Sequence, residues 1–311
     1  MRRLLAALLA LLLAAPAGAR GFAGARPFEL LFLDAGAAQA ALGGAFGAGA
    51  DDPNVLDYNP AGLTTLEQTR AAFMHNAHFQ SVSREHMALG GPGWGATVDY
   101  LRYGDIQRRT LSNPDGTGLG SFSPTAMSAA AGLAVPLSDS LSVGAAVRDT
   151  RETLDGTTGA AISADVGLQT VLLEDPLLRA GVAVQNAGPR VRFQSASESL
   201  PLNVRWGAAL ASEFLGRPFS LLADANHDET GRLVLQAGLS VPVGGAAALR
   251  VGYNGRNDAG PGITGGLGLR WGPLSIDYAF VPYGPLGSSQ QLSLGWAFGR
   301  PSVRPELYPS R

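Results

Sequence analysis

Successive side chains on a β-strand point to opposite faces, so an apolar/polar alternation with a period of two fixes both the secondary structure and the dry face. That alternation recurs through the last two thirds of this chain. Between Leu274 and Phe280, Leu274, Ile276, Tyr278 and Phe280 share one face while Ser275 and Asp277 share the other. Leu141, Val143, Ala145 and Val147 repeat the pattern, as do Leu178, Ala180, Val182 and Val184, and Leu233, Leu235, Ala237 and Leu239. Opposite these stand Arg148, Arg179, Arg205, Arg250 and Arg270, with Asp99, Asp165, Asp224 and Asp277. An arginine at mid-depth on a lipid-facing surface costs roughly 2–4 kcal/mol. Charges of both signs confined to one side therefore imply a polar lumen inside a lipid-facing shell. Trp94, Tyr100, Trp206, Tyr253, Trp271, Tyr278 and Trp296 fall on the outer side, where aromatic girdles belong.

Bounded by turn residues, the alternating stretches lie near 70–79, 82–89, 94–103, 126–135, 141–147, 160–170, 178–185, 204–210, 219–225, 233–241, 247–254, 263–271, 274–282 and 290–298. About fourteen strands, an even number, predict an all-β, transmembrane, antiparallel β-barrel. A loop rich in Gly, Ser, Asn and Pro spans 113–124. A soluble β-sandwich also alternates, but it leaves the outward aromatics and the export signal as coincidences.

That signal occupies residues 1–19: Arg2 and Arg3, the apolar run from Leu4 to Ala15, then Pro16, Ala17, Gly18 and Ala19 with small residues at a cleavage site. The run is shorter than the roughly 18–20 residues of a helical span, so a mature start near Arg20 is expected. The chain has no Cys, which excludes disulfides, thiolate metal sites and Cys nucleophiles. Net charge is −2 with no basic run, so nucleic acid is not an expected partner. Glycine, 42 of 311 residues, is about twice as common as usual, which suits tight hairpins and a crowded barrel interior.

Residues 20–66 lack sustained alternation and read as short helical pieces and turns. They are too few for a core of their own and are expected to fold into the lumen as a plug. The barrel is assigned to 67–299, and 300–311 is a Pro-rich polar tail. Asp51 and Asp52 stand before Pro53, where adjacent acids cap turns or pair with lumen arginines. In Asn59-Pro60-Ala61-Gly62, Pro lacks a donor and Gly accepts left-handed angles, so the segment can turn sharply beside the wall as a structural turn or a gate. The inward Arg and Asp residues either line a hydrophilic pore or clamp the plug through charge-assisted hydrogen bonds; the plug's need for polar partners favours clamping, by Arg250 among others.

With a hairpin turn at Gln80 and Ser81, His75 and His86 would face each other across a strand pair. Two half-buried histidines without an assured third ligand do not make a metal site. Asp224, Asn226, His227, Asp228 and Glu229 are ligand-rich but fall at a strand end before a Gly231 turn. The run Gly90 to Gly95 lacks the spacing and following helix of a phosphate loop, and neither a Gly-x-Ser-x-Gly elbow nor a His-Glu-x-x-His pair occurs. The expectation is no enzyme, no metal and no cofactor.

The N-terminal pattern Ala40 to Phe46 with Gly43 and Gly44, then Asp51 and Asp52, then Tyr58-Asn59-Pro60-Ala61-Gly62-Leu63, resembles the hatch signature of the fatty-acid transporter (FadL) superfamily and its PorV/PorQ relatives. Tyr103-Gly104-Asp105-Ile106, Asn186-Ala187-Gly188, Arg250-Val251-Gly252-Tyr253 and Asp277 to Pro282 resemble the PorV/PorQ side. The resemblance implies a fourteen-stranded outer-membrane barrel with an N-terminal plug. It further implies, as partners, outer-membrane lipid together with secreted cargo proteins or secretion-system subunits of a type IX-like pathway. The alternative it carries is FadL-like passive passage of small hydrophobic compounds. Leu292, Leu294, Trp296 and Phe298 resemble the terminal strand that barrel insertases recognise, although residues 299–311 follow it.

Overall fold

The computed structural model describes residues 27–193 and 196–299. The expected signal at 1–19, the start of the plug at 20–26 and the tail at 300–311 lie outside the described residues. Fourteen antiparallel strands close into a barrel: β1 (Thr69–Ala77), β2 (Ser83–Gly91), β3 (Trp94–Arg102), β4 (Thr125–Pro136), β5 (Leu141–Leu154), β6 (Thr157–Glu174) and β7 (Leu177–Ala187), followed by β8 (Asn203–Phe214), β9 (Arg217–Asp228), β10 (Leu233–Val243), β11 (Ala247–Asn254), β12 (Ile263–Trp271), β13 (Leu274–Pro282) and β14 (Ser288–Phe298). Each strand pairs with its neighbours in sequence, and β14 returns to β1 with Thr69 opposite Phe298, so no edge is left unpaired. Every alternating stretch read from the sequence corresponds to one of these strands.

The strands differ from expectation mainly in length. β5 continues to Leu154 rather than ending near Val147, because Arg148 to Glu152 are polar on both faces yet keep their ladder partners on β4 and β6. Alternation marks only the part of a strand whose two faces meet different solvents. Two small hairpins, Ile106–Gln107 with Ser121–Phe122 and Val191–Phe193 with Ala196–Glu198, sit in loops. β6 and β7 shift register between Ala164 and Val166. There Asn186 takes a left-handed φ of 60° and donates its backbone N–H to Asp165 Oδ1 at 2.6 Å, so an inward acid holds the bulge.

Both chain ends of the barrel, Thr69 and Phe298, lie at one end, where most turns are a few residues long; the long connections 103–124 and 188–202 lie at the other. The outward face is apolar: Leu133, Val147, Ile162, Leu249 and Leu294 are exposed, as are Trp94, Tyr100, Trp206, Tyr253, Trp271 and Trp296. The inward face is polar and buried, with Asp99, Arg148, Asp165 and Asp224 each 5% exposed or less. The main core is not in the wall. It forms where Leu42, Phe46, Val55, Leu56, Tyr58, Leu63 and Leu66 of the N-terminal segment pack against Ala130, Ala134, Ala146, Ala209 and Leu222 of the strands.

Candidate functional site

The lumen is a set of matched surfaces between the N-terminal segment and the inward wall. The segment folds as a 3-10 turn (Glu29–Phe32), a short helix α1 (Ala37–Ala41), a second helix α2 (Val55–Tyr58) and a 3-10 helix (Pro60–Thr65). Gly43 and Gly44 end α1: both have positive φ, Gly43 N–H donates to Ala40 O and Gly44 N–H to Gln39 O, the paired bonds of a Schellman stop. Asn59 caps the 3-10 helix, its Oδ1 accepting from Ala61 N–H at 3.1 Å while Pro60 fills the first helical position. Its Nδ2 donates to Gly47 O at 2.9 Å and to Leu168 O at 3.0 Å, which ties two parts of the segment to β6. Asp52 accepts from Asn54 N–H at 2.8 Å, and Asp51 forms a 2.7 Å ion pair with Arg70 on β1. Gly62 packs against Val55 and Gln169, where a side chain would crowd both.

Two wall arginines join the segment to the wall, one through an ion pair and one through a hydrogen bond. Arg148 binds Asp57 of α2 at 2.7 Å and approaches Asp165 at 3.4 Å. Arg84 binds Asp99 at 2.5 Å and donates to Asp34 O at 2.7 Å. His86 lies fully buried between them, its Nδ1 3.0 Å from Asp99 and its Nε2 2.9 Å from Asn54 Oδ1. Asp57, His86 and Asp99 cluster closely enough to hold a cation. Two guanidinium groups already face the carboxylates, however, so the cluster works as an ion-pair lock. On the other side, Asp224 Oδ2 accepts from Phe46 N–H at 2.9 Å, Gly47 N–H at 2.8 Å and Arg205 Nη1 at 2.6 Å. Arg205 also reaches Gly44 O at 3.1 Å and stacks 5.0 Å from the Tyr58 ring centre. Burial pushes the Asp34 carboxyl of the segment up to about 6, against the pull of Arg205, Arg84 and Arg256.

Several sequence expectations change here. His75 and His86 are not opposite: the turn takes one residue more, His75 pairs with Glu85 and His86 with Met74, and the two rings face opposite sides of the wall. Arg250 pairs not with the segment but with Asp277 at 2.6 Å, reaching over Gly268 of the intervening strand, and so braces the wall. Arg179 stands half-buried on the inward face, and Arg270 lies exposed at the short-turn end. Asp228 caps its own turn through Thr230 and Arg232 rather than offering a ligand set with Asp224. Arg84, Asp57 and Gln185, whose Nε2 donates to Asp57 O at 2.8 Å, carry no site signal in the sequence, because Arg84 sits on a short alternation and the other two match no charge pattern; His86 stands out there only as a partner for His75.

The sequence also hid a belt of inward glycines. An added Cβ at Gly144, Gly181, Gly207, Gly238 or Gly252 would stand under 3.0 Å from backbone atoms of residues 42–48 or 60–61. Gly181 and Gly207 are direct partners across β7 and β8, and Gly238 and Gly252 across β10 and β11. The belt lets the segment's backbone touch the wall backbone, which adds to the glycines that the turns require.

At the long-loop end the lining turns apolar. Leu30 packs with Leu101 and Ala126, flanked by Leu33, Val82 and Tyr103. Phe28 packs with Ala161, Val191 and Leu200, flanked by Leu31. Arg256 lies 3.9 Å over the Phe32 ring. Residues 28–33 thus fill two apolar clusters against the wall below the long loops.

The model of the uncharacterised protein family UPF0164 matches residues 14–204, more than half of the chain. The chain belongs to UPF0164. No curated protein matches this UPF0164 member in sequence. Among solved structures it is similar to the CymD monoaromatic hydrocarbon channel, at 14% identity over 89% of this chain and 100% of that one, with a TM-score of 0.57. It is similar also to the toluene transporter TbuX of Ralstonia pickettii, at 14% identity over 86% and 99% with a TM-score of 0.55. A FadL homologue of Pseudomonas aeruginosa shares 13% identity over 84% and 97%, with a TM-score of 0.50. The barrel of this UPF0164 chain therefore has the fold of FadL-type outer-membrane proteins.

Proposed function

We propose that the protein is a plugged outer-membrane barrel that passes small hydrophobic compounds passively, without catalysis. In this orientation the short turns face the periplasm and the long loops the exterior. The observation that carries the reading is the pair of apolar clusters under the long loops, built on Leu30 and Phe28 and flanked by Leu31 and Leu33. A polar lumen sealed by ion pairs gives hydrophilic solutes no reason to be selected, whereas apolar side chains under the long loops favour apolar ones. The similarity to a hydrocarbon channel and a toluene transporter supports the same direction. A role in exporting or attaching secreted proteins, as for PorV/PorQ proteins, rests on sequence motifs alone.

The test is uptake of labelled toluene at low concentration by a heterologous Gram-negative host producing the barrel. We expect faster uptake than with empty vector, and slower uptake when Leu101 and Ala126 are both replaced by Asp. Equal uptake in all three strains would rule the reading out.

A further inference from the structure

The first helix, α1, is seated on the wall: Ala37, Ala40 and Ala41 pack against Ala279 and Val281 of β13, and Ala37 N–H donates to Ser293 Oγ of β14 at 2.8 Å. Below it, toward the short-turn end, a cavity of about 330 Å³ lies between Gln39, the turn at 51–54 and the ends of β1, β12, β13 and β14. A water's share of liquid volume is about 30 Å³, so the space admits side chains as well as solvent. Its lining includes Gly299, the residue that directly follows β14.

Three acids line the cavity, and two of them are matched within the fold: Asp51 to Arg70 at 2.7 Å and Asp277 to Arg250 at 2.6 Å. Asp52 is not. Its Oδ1 accepts from Asn54 N–H at 2.8 Å, but among the described residues it has no cation partner; Arg270, which also borders the cavity, stands exposed. A carboxylate half-shielded from water gains from a guanidinium that can reach it. The sequence places such groups just beyond Gly299: residues 300–311, outside the described residues, hold Arg300, Arg304 and Arg311 against the single acid Glu306. Arg304 is five residues past Gly299, a reach of up to roughly 17 Å at 3.3–3.6 Å per residue, whereas Arg300 adjoins the strand end and has no length of chain with which to turn back.

We propose that the start of the C-terminal tail, residues 300–304, turns back from Gly299 into this cavity, with Arg304 paired to Asp52 and Val303 set on the apolar lining of Ala38, Pro53, Ala72 and Pro273. Charge, reach and chain continuity favour the tail over a separate partner, because a tethered group is present at high effective concentration wherever the barrel is folded. The pairing ties the end of the last strand to the N-terminal segment and closes the short-turn end of the gap between segment and wall. It holds whatever solute the barrel carries, and so stands apart from the transport reading.

The chain has no Cys, so one introduced at Val303 reports on the tail alone. The test is the rate at which maleimide-polyethylene glycol labels Val303→Cys in the full-length barrel folded in detergent micelles, against the same protein unfolded in urea. Heat-modifiable migration verifies that each variant is folded. We expect labelling roughly tenfold slower in the folded barrel, the protection of a local contact that opens about a tenth of the time. Asp52→Asn keeps the acceptor for Asn54 N–H and removes the charge, and should speed labelling about fivefold, the upper end for an ion pair open to solvent on one side. Ala72→Leu fills the cavity without touching a charge and should speed it as well. Exchanging the charges, Asp52→Arg together with Arg304→Asp, should restore slow labelling. Labelling as fast in the folded barrel as in the unfolded chain overturns the proposal, and so does protection that survives both Asp52→Asn and Ala72→Leu, which would place the tail elsewhere.

Discussion

The glycine belt makes a sharp prediction at Gly207. An ideal Cβ there stands 2.6 Å from Ala48 N and from Gly47 C, both backbone atoms that cannot rotate away. Ordinary contact begins at 3.4 Å, so Gly207→Ala must push residues 47–48 inward by about 0.8 Å. Asp224 lies directly across the ladder from Gly207 and holds Phe46 N–H at 2.9 Å and Gly47 N–H at 2.8 Å. A shift of that size stretches both bonds to about 3.6–3.7 Å, past the limit of a useful hydrogen bond. Overpacking and two weakened charge-assisted bonds together come to about 3 kcal/mol against docking of the segment, while the barrel ladder is untouched. The open population should rise on the order of 100-fold, and proteolysis that follows local opening should rise with it. Chymotrypsin cleavage after Phe46 and Tyr58, both buried, reads this out in folded barrels. Gly265→Ala is the control, since its Cβ on the outward face meets nothing nearer than 3.8 Å. Cleavage of Gly207→Ala no faster than of Gly265→Ala would refute the steric argument.

Asp224→Ala strands Arg205 and two backbone N–H groups in the lumen and should undock the segment by about 3–5 kcal/mol, visible in the same chymotrypsin assay. Arg205→Ala should accelerate cleavage, whereas Arg250→Ala should lower the temperature of heat-modifiable unfolding and leave the cleavage rate near wild type; the reverse pattern would contradict the assignment of Arg250 to the wall. Asp34 is raised from 3.8 to about 6 by burial, so its contribution to docking is present below about pH 4 and is lost as pH rises through 6. The segment should accordingly be cleaved more slowly at pH 5 than at pH 8 in wild type, with the difference reduced in Asp34→Asn.

The strand assignments could be read from the sequence because lipid and lumen impose opposite demands on alternate residues, and a period of two survives in one dimension. Leu274 to Phe280 shows this, and the inward placement of Asp99, Arg148, Arg205 and Asp224 follows from the same parity. Where both faces are polar, as from Arg148 to Glu152, the signal vanished although the ladder continued. The hairpin between β1 and β2 shows the other limit: one extra turn residue moved His75 to the outside and left His86 inside, and nothing in the local sequence sets that register.

The chain by itself therefore determined the barrel, its two faces and the presence of a separate N-terminal segment, since these depend on solvent contrast and on local capping by Gly43, Gly44 and Asn59. Only the tertiary structure decided which arginines hold the segment, which brace the wall, and that glycines on β5, β7, β8, β10 and β11 form a belt. Those facts join residues far apart in sequence. They depend on ring closure and on how deep the segment sits, quantities fixed by three-dimensional packing.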